Sequence, residues 1–223
     1  MKKALLLMAL FAGSLLSANA DDHLTALLKP GNAVLGIQLK NATEYTAFQM
    51  DITLPDGMTL DVADGEDASS AVTLQRQDAN GTQQVHANFQ DGVLKVAAFS
   101  YKDDNGTIRG NQSFTGEKGD MLLVKVKVAD GCVASDVNIS NVEFVKTDGL
   151  VAKTDVGLTA KGKLGDADGD NVVDTNDAIA VTKHFLKKEL LSAEQIERTS
   201  FSGNDNVDTN DAVDITRIFL KKY

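Results

Sequence analysis

The sequence predicts two unlike folds in tandem: an all-β sandwich over residues 21–160, then a small all-α module over residues 161–223. Three observations predict this. Apolar residues alternate with polar ones through the first part, the period of half-buried strands. Turn signals separate these runs, at Pro55-Asp56-Gly57, Asp91-Gly92, Asn105-Gly106, Asp130-Gly131 and Asp148-Gly149. In the last part Val-Asp-Thr-Asn-Asp-Ala occurs twice, at 173–178 and 207–212, an offset of 34 residues, and each copy leads into a helix-like run ending in Phe-Leu-Lys-Lys.

In chain order, the first twenty residues read as an export signal: Lys2 and Lys3, an apolar run over Ala4–Leu16, and a small-x-small cleavage site at Ala18-Asn19-Ala20. The run is too short to span a bilayer. It is followed by no cysteine that could carry a lipid, and no second long apolar segment exists. The expected product is an exported soluble chain that is secreted, held at the cell surface or periplasmic. The formal charge of −10 disfavours a nucleic-acid partner. The single cysteine, Cys132, allows no internal disulfide and reads as a small apolar residue.

Alternation predicts strands at Ala33–Lys40 and Phe48–Leu54. Further strands are expected at Ala71–Arg76, Gln83–Phe89, Val93–Tyr101, Met121–Val128 and Val137–Val145. Many short strands joined by polar turns argue for a sandwich, and residues 21–160 suffice for one such core. Gly157, Gly162 and Gly165 then loosen the chain, and the period becomes helical. Without a Pro- or Ser-rich linker, the two modules are expected to sit close together. The first helix is expected from about Asn176, with Ile179, Thr182, Phe185 and Leu186 on its apolar stripe. Ser192-Ala193-Glu194-Gln195 is a capping-box pattern that predicts a short helix. The last helix starts near Asn210, with Val213, Thr216, Phe219 and Leu220 on its stripe and Ile215 and Ile218 widening it.

The repeats also carry the chemistry. Counted from Asp166, a twelve-residue calcium loop places Asp166, Asp168, Asp170, Asp174 and Asp177 at positions 1, 3, 5, 9 and 12, with Val172 offering its carbonyl at position 7. Hard oxygen donors at this spacing suit Ca2+. Asn171 stands where such loops carry a turn glycine, and Asp177 replaces the usual Glu. The second loop places Ser200, Ser202, Asn204, Asn206, Asp208 and Asp211 at positions 1, 3, 5, 7, 9 and 12. With fewer carboxylates it is either a weaker calcium site or a metal-free turn held by packing.

Two loop–helix units with a short helix between them, and no helix before Asp166, resemble the dockerin modules of cellulosome-type assemblies over residues 164–223. The resemblance implies a non-catalytic, calcium-dependent module that binds cohesins. It implies contact residues Thr175, Asn176, Thr182, Lys183 and Lys187 in the first repeat, and Thr209, Asn210, Thr216, Arg217 and Lys221 in the second. The β-module is similar to cohesins in its strand pattern and order, at Tyr45–Pro55, Val93–Tyr101, Met121–Val128 and Ile139–Phe144. That likeness implies a jelly-roll, cohesin-like sandwich related to carbohydrate-binding modules. The expected partners are therefore cohesin- and dockerin-bearing proteins, with self-association open.

Two rivals stand beside this reading. A carbohydrate-binding sandwich would need exposed rings, and the chain has no Trp and only three Tyr, of which Tyr45 and Tyr101 are the candidates. A glycoside hydrolase would need two positioned carboxylates, and Asp51, Glu66, Asp103 and Glu143 show no pairing in the sequence.

Overall fold

The computed structural model describes residues 22–78, 81–100, 112–148, 151–152, 156–203 and 206–221. The export segment, Tyr101, Asp103, the Asn105-Gly106 turn and Asn204 lie outside these residues.

Residues 22–163 form two packed sheets. The strands are β1 (His23–Leu28), β2 (Val34–Lys40), β3 (Tyr45–Thr53), β4 (Met58–Leu60), β5 (Val72–Leu74), β6 (Gln83–Gln90), β7 (Val93–Ser100), β8 (Asp120–Val128), β9 (Asn138–Lys146), β10 (Val151–Ala152) and β11 (Gly157–Lys163). One sheet runs β11-β1-β2-β8-β4, with β5 also on β8; the other runs β10-β9-β3-β7-β6. β11 pairs parallel with β1, and the remaining pairings are antiparallel. Asp91 and Gly92 both take positive φ, 53° and 77°, and make the two-residue hairpin between β6 and β7 that Asp-Gly favours. Leu24, Leu35, Ile37, Met50, Ile52, Leu94, Met121 and Val124 fill the space between the sheets. Tyr45, Phe48, Phe114 and Phe144 add an aromatic cluster, with Tyr45 and Phe144 centroids 4.6 Å apart.

Tyr45 is thus a core residue at 2 % exposure, and its hydroxyl donates to Asp22 Oδ2 at 2.6 Å. It is no sugar platform. β11 runs through Lys163, past the division expected at residue 160.

Three helices follow: α1 (Thr175–Phe185), α2 (Ala193–Thr199) and α3 (Thr209–Phe219). Asp174, Ser192 and Asp208 cap them, each in a reciprocal capping box. The repeat is structural as well as textual. Val181 and Ile215 pack with Val207, flanked by Val173, Ala178 and Ala212, so each position of one repeat meets its 34-residue counterpart. Lys187 and Lys221 end α1 and α3 alike, in left-handed conformations with φ of 54° and 53°.

The apolar stripes differ from expectation. Val181 and Ile215 face the core, whereas Ile179, Phe185, Leu186, Val213 and Leu220 are about half exposed. Each helix carries apolar residues on two sides, and the small core takes only one of them.

The helical module packs against the outside of the first sheet. Leu24, Ala26 and Leu28 enter the sandwich core, so His23, Thr25 and Leu27 face outward by strand alternation. Leu27 is nonetheless fully buried. Glu197 of α2 explains what lies over this face: it accepts from His23 Nε2 at 2.6 Å and from Thr25 Oγ1.

Candidate functional site

The first loop gathers part of its expected ligand set. Carboxylate oxygens of Asp166, Asp168 and Asp177 lie within 4.8 Å of one another. Asp166 and Asp177 are buried, while Asp168 is exposed. Backbone N–H groups aim these side chains. Gly169 and Asn171 donate to Asp166, at 2.7 and 2.9 Å. Ala167, Asp168 and Asp174 donate to Asp177, at 2.7, 3.3 and 2.7 Å. Asp170 and Asp174 stand outside this group. Asp170 accepts from Val172 N–H, and Asp174 accepts from Asn176 N–H as the helix cap. Val172 is exposed.

The donor set fits a hard divalent cation. Two buried carboxylates beside a third are electrostatically costly when charged, and a cation would relieve that cost. Burial pushes the Asp177 carboxyl up to about 6, against the pull of its three N–H donors. Burial also raises that of Asp166, against its N–H donors and the Arg198 guanidinium.

These shifts set a sign. Each group holds its proton in the folded chain at pH values where the unfolded chain has released it. Without a cation, their contribution to stability therefore falls as pH rises from about 4 through about 6. Melting of the chelated chain across this range should show the helical module losing stability with rising pH, and Asp177→Asn should flatten the slope. Saturating cation should reverse the trend, because loading displaces those protons.

Sequence reasoning missed α2 as the lid of this loop. Arg198 is buried, and its Nε donates to the Asp166 carbonyl at 2.9 Å. Its Nη1 pairs with Glu194 at 2.9 Å, and Gln195 Nε2 donates to the Ala167 carbonyl at 3.0 Å. The signal available was one arginine one turn beyond Glu194, which is common on any helix.

The second loop repeats the scaffold of the first. Phe201 and Asp208 donate to Asp211 at 2.9 and 2.8 Å, and Asp208 accepts from Asn210 N–H at 2.6 Å. Ser200 is buried, and Ser202 and Asn206 are exposed. Among the described residues, only the first loop brings three acidic, His or Cys side chains to metal-holding distance.

The expected contact residues form two matching sets. Thr175, Asn176, Thr182, Lys183 and Lys187 are exposed, as are Thr209, Asn210, Arg217 and Lys221. Thr216 is half-buried, a departure from the exposed position expected. Equivalent residues make equivalent bonds: Thr182 donates to the Ala178 carbonyl and Thr216 to the Ala212 carbonyl, both at 2.8 Å. The two cations differ in their partners: Lys183 pairs with Glu189, six residues on, and Arg217 with Asp214, three residues back, both at 2.9 Å. Around them lie the half-exposed Ile179, Phe185, Leu186, Val213 and Leu220.

On the sandwich, the outer face of the second sheet holds a shallow open depression of about 720 Å³, lined by Gln49, Asp51, His86, Lys95, Asn141 and Glu143 among others. Asp51 accepts from Asn141 Nδ2 at 2.7 Å and Glu143 from Gln49 Nε2 at 3.1 Å. The two acids share this open face, each held by an amide side chain. Glu66 is exposed elsewhere. Phe99, stacked on His86 at 5.3 Å, is the exposed large aromatic of the sandwich among the described residues.

No family model and no curated protein matches the chain. Solved structures similar to it include three cohesins. One is a non-cellulosomal cohesin from the hyperthermophilic archaeon Archaeoglobus fulgidus, at 15% identity over 61% of this chain and 86% of that one, TM-score 0.39. Another is a type II cohesin domain from the cellulosome of Acetivibrio cellulolyticus, at 12% identity over 60% and 89%, TM-score 0.41. The third is a cohesin module from a Clostridium perfringens family 33 glycoside hydrolase, at 12% identity over 59% and 87%, TM-score 0.34. Similarities at this level assign neither partner nor activity to this chain. No helix among the described residues is long and apolar enough to cross a membrane.

Proposed function

We propose that this chain is an exported, non-catalytic adaptor that assembles with other proteins through a calcium-dependent, dockerin-like module carried on a cohesin-like sandwich. The observation that carries this reading is the doubled face. Two helices 34 residues apart present matching polar residues, Thr182 and Thr216 bonded the same way, beside apolar side chains left outside the core. A solvated helix has no need for exposed Phe185, Leu186 and Leu220, whereas a recognition surface does. The first loop is the calcium site, and the second is weaker, with two carboxylates in place of five. Calcium serves structure, because Val181, Val207 and Ile215 alone make too small a core.

The test is affinity capture by the full chain from the source organism's secreted fraction, in calcium and in chelator. Cohesin-bearing proteins should be retained in calcium and released by chelator. Thr175→Ala with Lys183→Ala, together with Thr209→Ala and Arg217→Ala, should abolish retention. Retention on polysaccharide that ignores both calcium and these substitutions would overturn the reading. Sedimentation of the chain alone, in calcium and in chelator, separates a bridging monomer from head-to-tail chains. The monomer is expected, because self-pairing would occupy both binding surfaces.

A further inference from the structure

The first loop is also the place where the helical module grips the sandwich. Asn171, sixth in the loop, sits at φ 71°, a conformation for which glycine is the ordinary choice. Its side chain does what glycine cannot. Nδ2 donates to the Cys132 carbonyl at 2.8 Å, and Oδ1 accepts from the Ala134 N–H at 3.1 Å. Cys132 and Ala134 belong to the sandwich core and lead into β9 through the turn Ala134–Asp136. The backbone of the same residue is tied to the loop. Its N–H donates to Asp166 Oδ2, and its carbonyl accepts from Lys163 Nζ at 2.8 Å.

A second path leaves Asp166 on its other side. Its carbonyl accepts from Arg198, and the neighbouring Glu197 accepts from His23 and Thr25 of β1. Asp166 therefore stands between two attachments to the sandwich. One runs through Asn171 to the 132–134 turn, and the other runs through α2 to β1.

We propose that loading a divalent cation into the first loop locks the helical module onto the sandwich through Asn171, making the loop a cation-sensitive joint that fixes how the doubled face is presented. This rests on the calcium reading of the loop. Without a cation, repulsion among Asp166, Asp168 and Asp177 favours loop openings in which Asn171 releases Cys132 and Ala134. A cation that holds these carboxylates suppresses such openings. By reciprocity, the grip on the sandwich raises the loop's affinity for the cation.

The experiment uses the full chain. Hydrogen exchange at the Ala134 amide is followed with calcium and with chelator, in the wild type and in Asn171→Gly, with calcium binding measured calorimetrically on each. Glycine suits the backbone conformation, so the variant keeps the loop and loses only the grip. In the wild type, calcium should slow Ala134 exchange by about fivefold or more, the factor expected of one hydrogen bond. The Val96 amide, in the other sheet, should not respond. Asn171→Gly should still bind calcium, more weakly, while its Ala134 amide becomes insensitive to the cation. If wild type binds calcium and Ala134 exchange does not change, or if the variant keeps the full response, the joint is refuted. If wild type binds no calcium, the loop reading fails and takes the joint with it.

Discussion

Asp177→Ala is expected to unfold the helical module at ordinary temperature, in calcium as well as in chelator. The carboxylate accepts from Ala167, Asp168 and Asp174, and truncation orphans the buried Ala167 N–H and leaves the other two, part-buried, to solvent. An orphaned buried donor costs about 1–3 kcal/mol and a part-buried one about 1 kcal/mol, so the loss amounts to about 3–5 kcal/mol before any metal binding is counted. The apolar core of the module is too small to absorb that. Asp211→Ala should cost less, because among the described residues Asp211 accepts from two backbone N–H groups, of Phe201 and Asp208, and it closes the weaker loop. Adding Asp166→Ala to Asp177→Ala should bring little further loss, since both act in one network. Far-UV circular dichroism of the full chain during melting measures this. A variant that melts with the wild type in both conditions would contradict it.

Arg76→Ala is expected to destabilise the sandwich by about 3–5 kcal/mol, the range for breaking a buried charged network. Arg76 is 7 % exposed. Its guanidinium donates to the carbonyls of Thr115, Leu39 and Gly116 and to Asn41 Oδ1, so it fastens the segment before β8 to the end of β2. Burial lowers its pKa to about 10, with Glu117 opposing the shift. Lysine cannot reach this fan of acceptors, so Arg76→Lys should recover little of the loss. Denaturant unfolding measures both variants, and a change under 1 kcal/mol in the alanine variant (about the worth of an exposed contact) would remove Arg76 from this role.

The parts that were legible in the sequence are those fixed by local chemistry. Asp91-Gly92 makes its hairpin, Ser192 caps its helix, and the 34-residue repeat recurs in hydrogen bonds as well as letters. The missed parts depend on packing between segments far apart in sequence. His23–Leu28 carries no alternation that would mark β1, and it need not, since α2 lies over its outer face. Gly157 and Gly162 suggest a loosening linker, yet β11 closes the sheet edge beside β1. The helix stripes were misassigned because Ile179 and Val181, or Val213 and Ile215, are equally apolar, and only packing decides which faces inward. In sequence Asn171 is only a substitute for a turn glycine; its second role needs the Cys132–Ala134 turn, which lies 37 to 39 residues away.

The most direct test of the central claim is a calcium titration of the full chain, followed in parallel by calorimetry and far-UV circular dichroism. One tight site is expected, with the second weak or absent, and helical signal should rise as the tight site fills. Asp166→Ala with Asp177→Ala should remove the tight site. A wild-type chain that takes up no calcium, or whose helices are equally formed in chelator, would contradict the account.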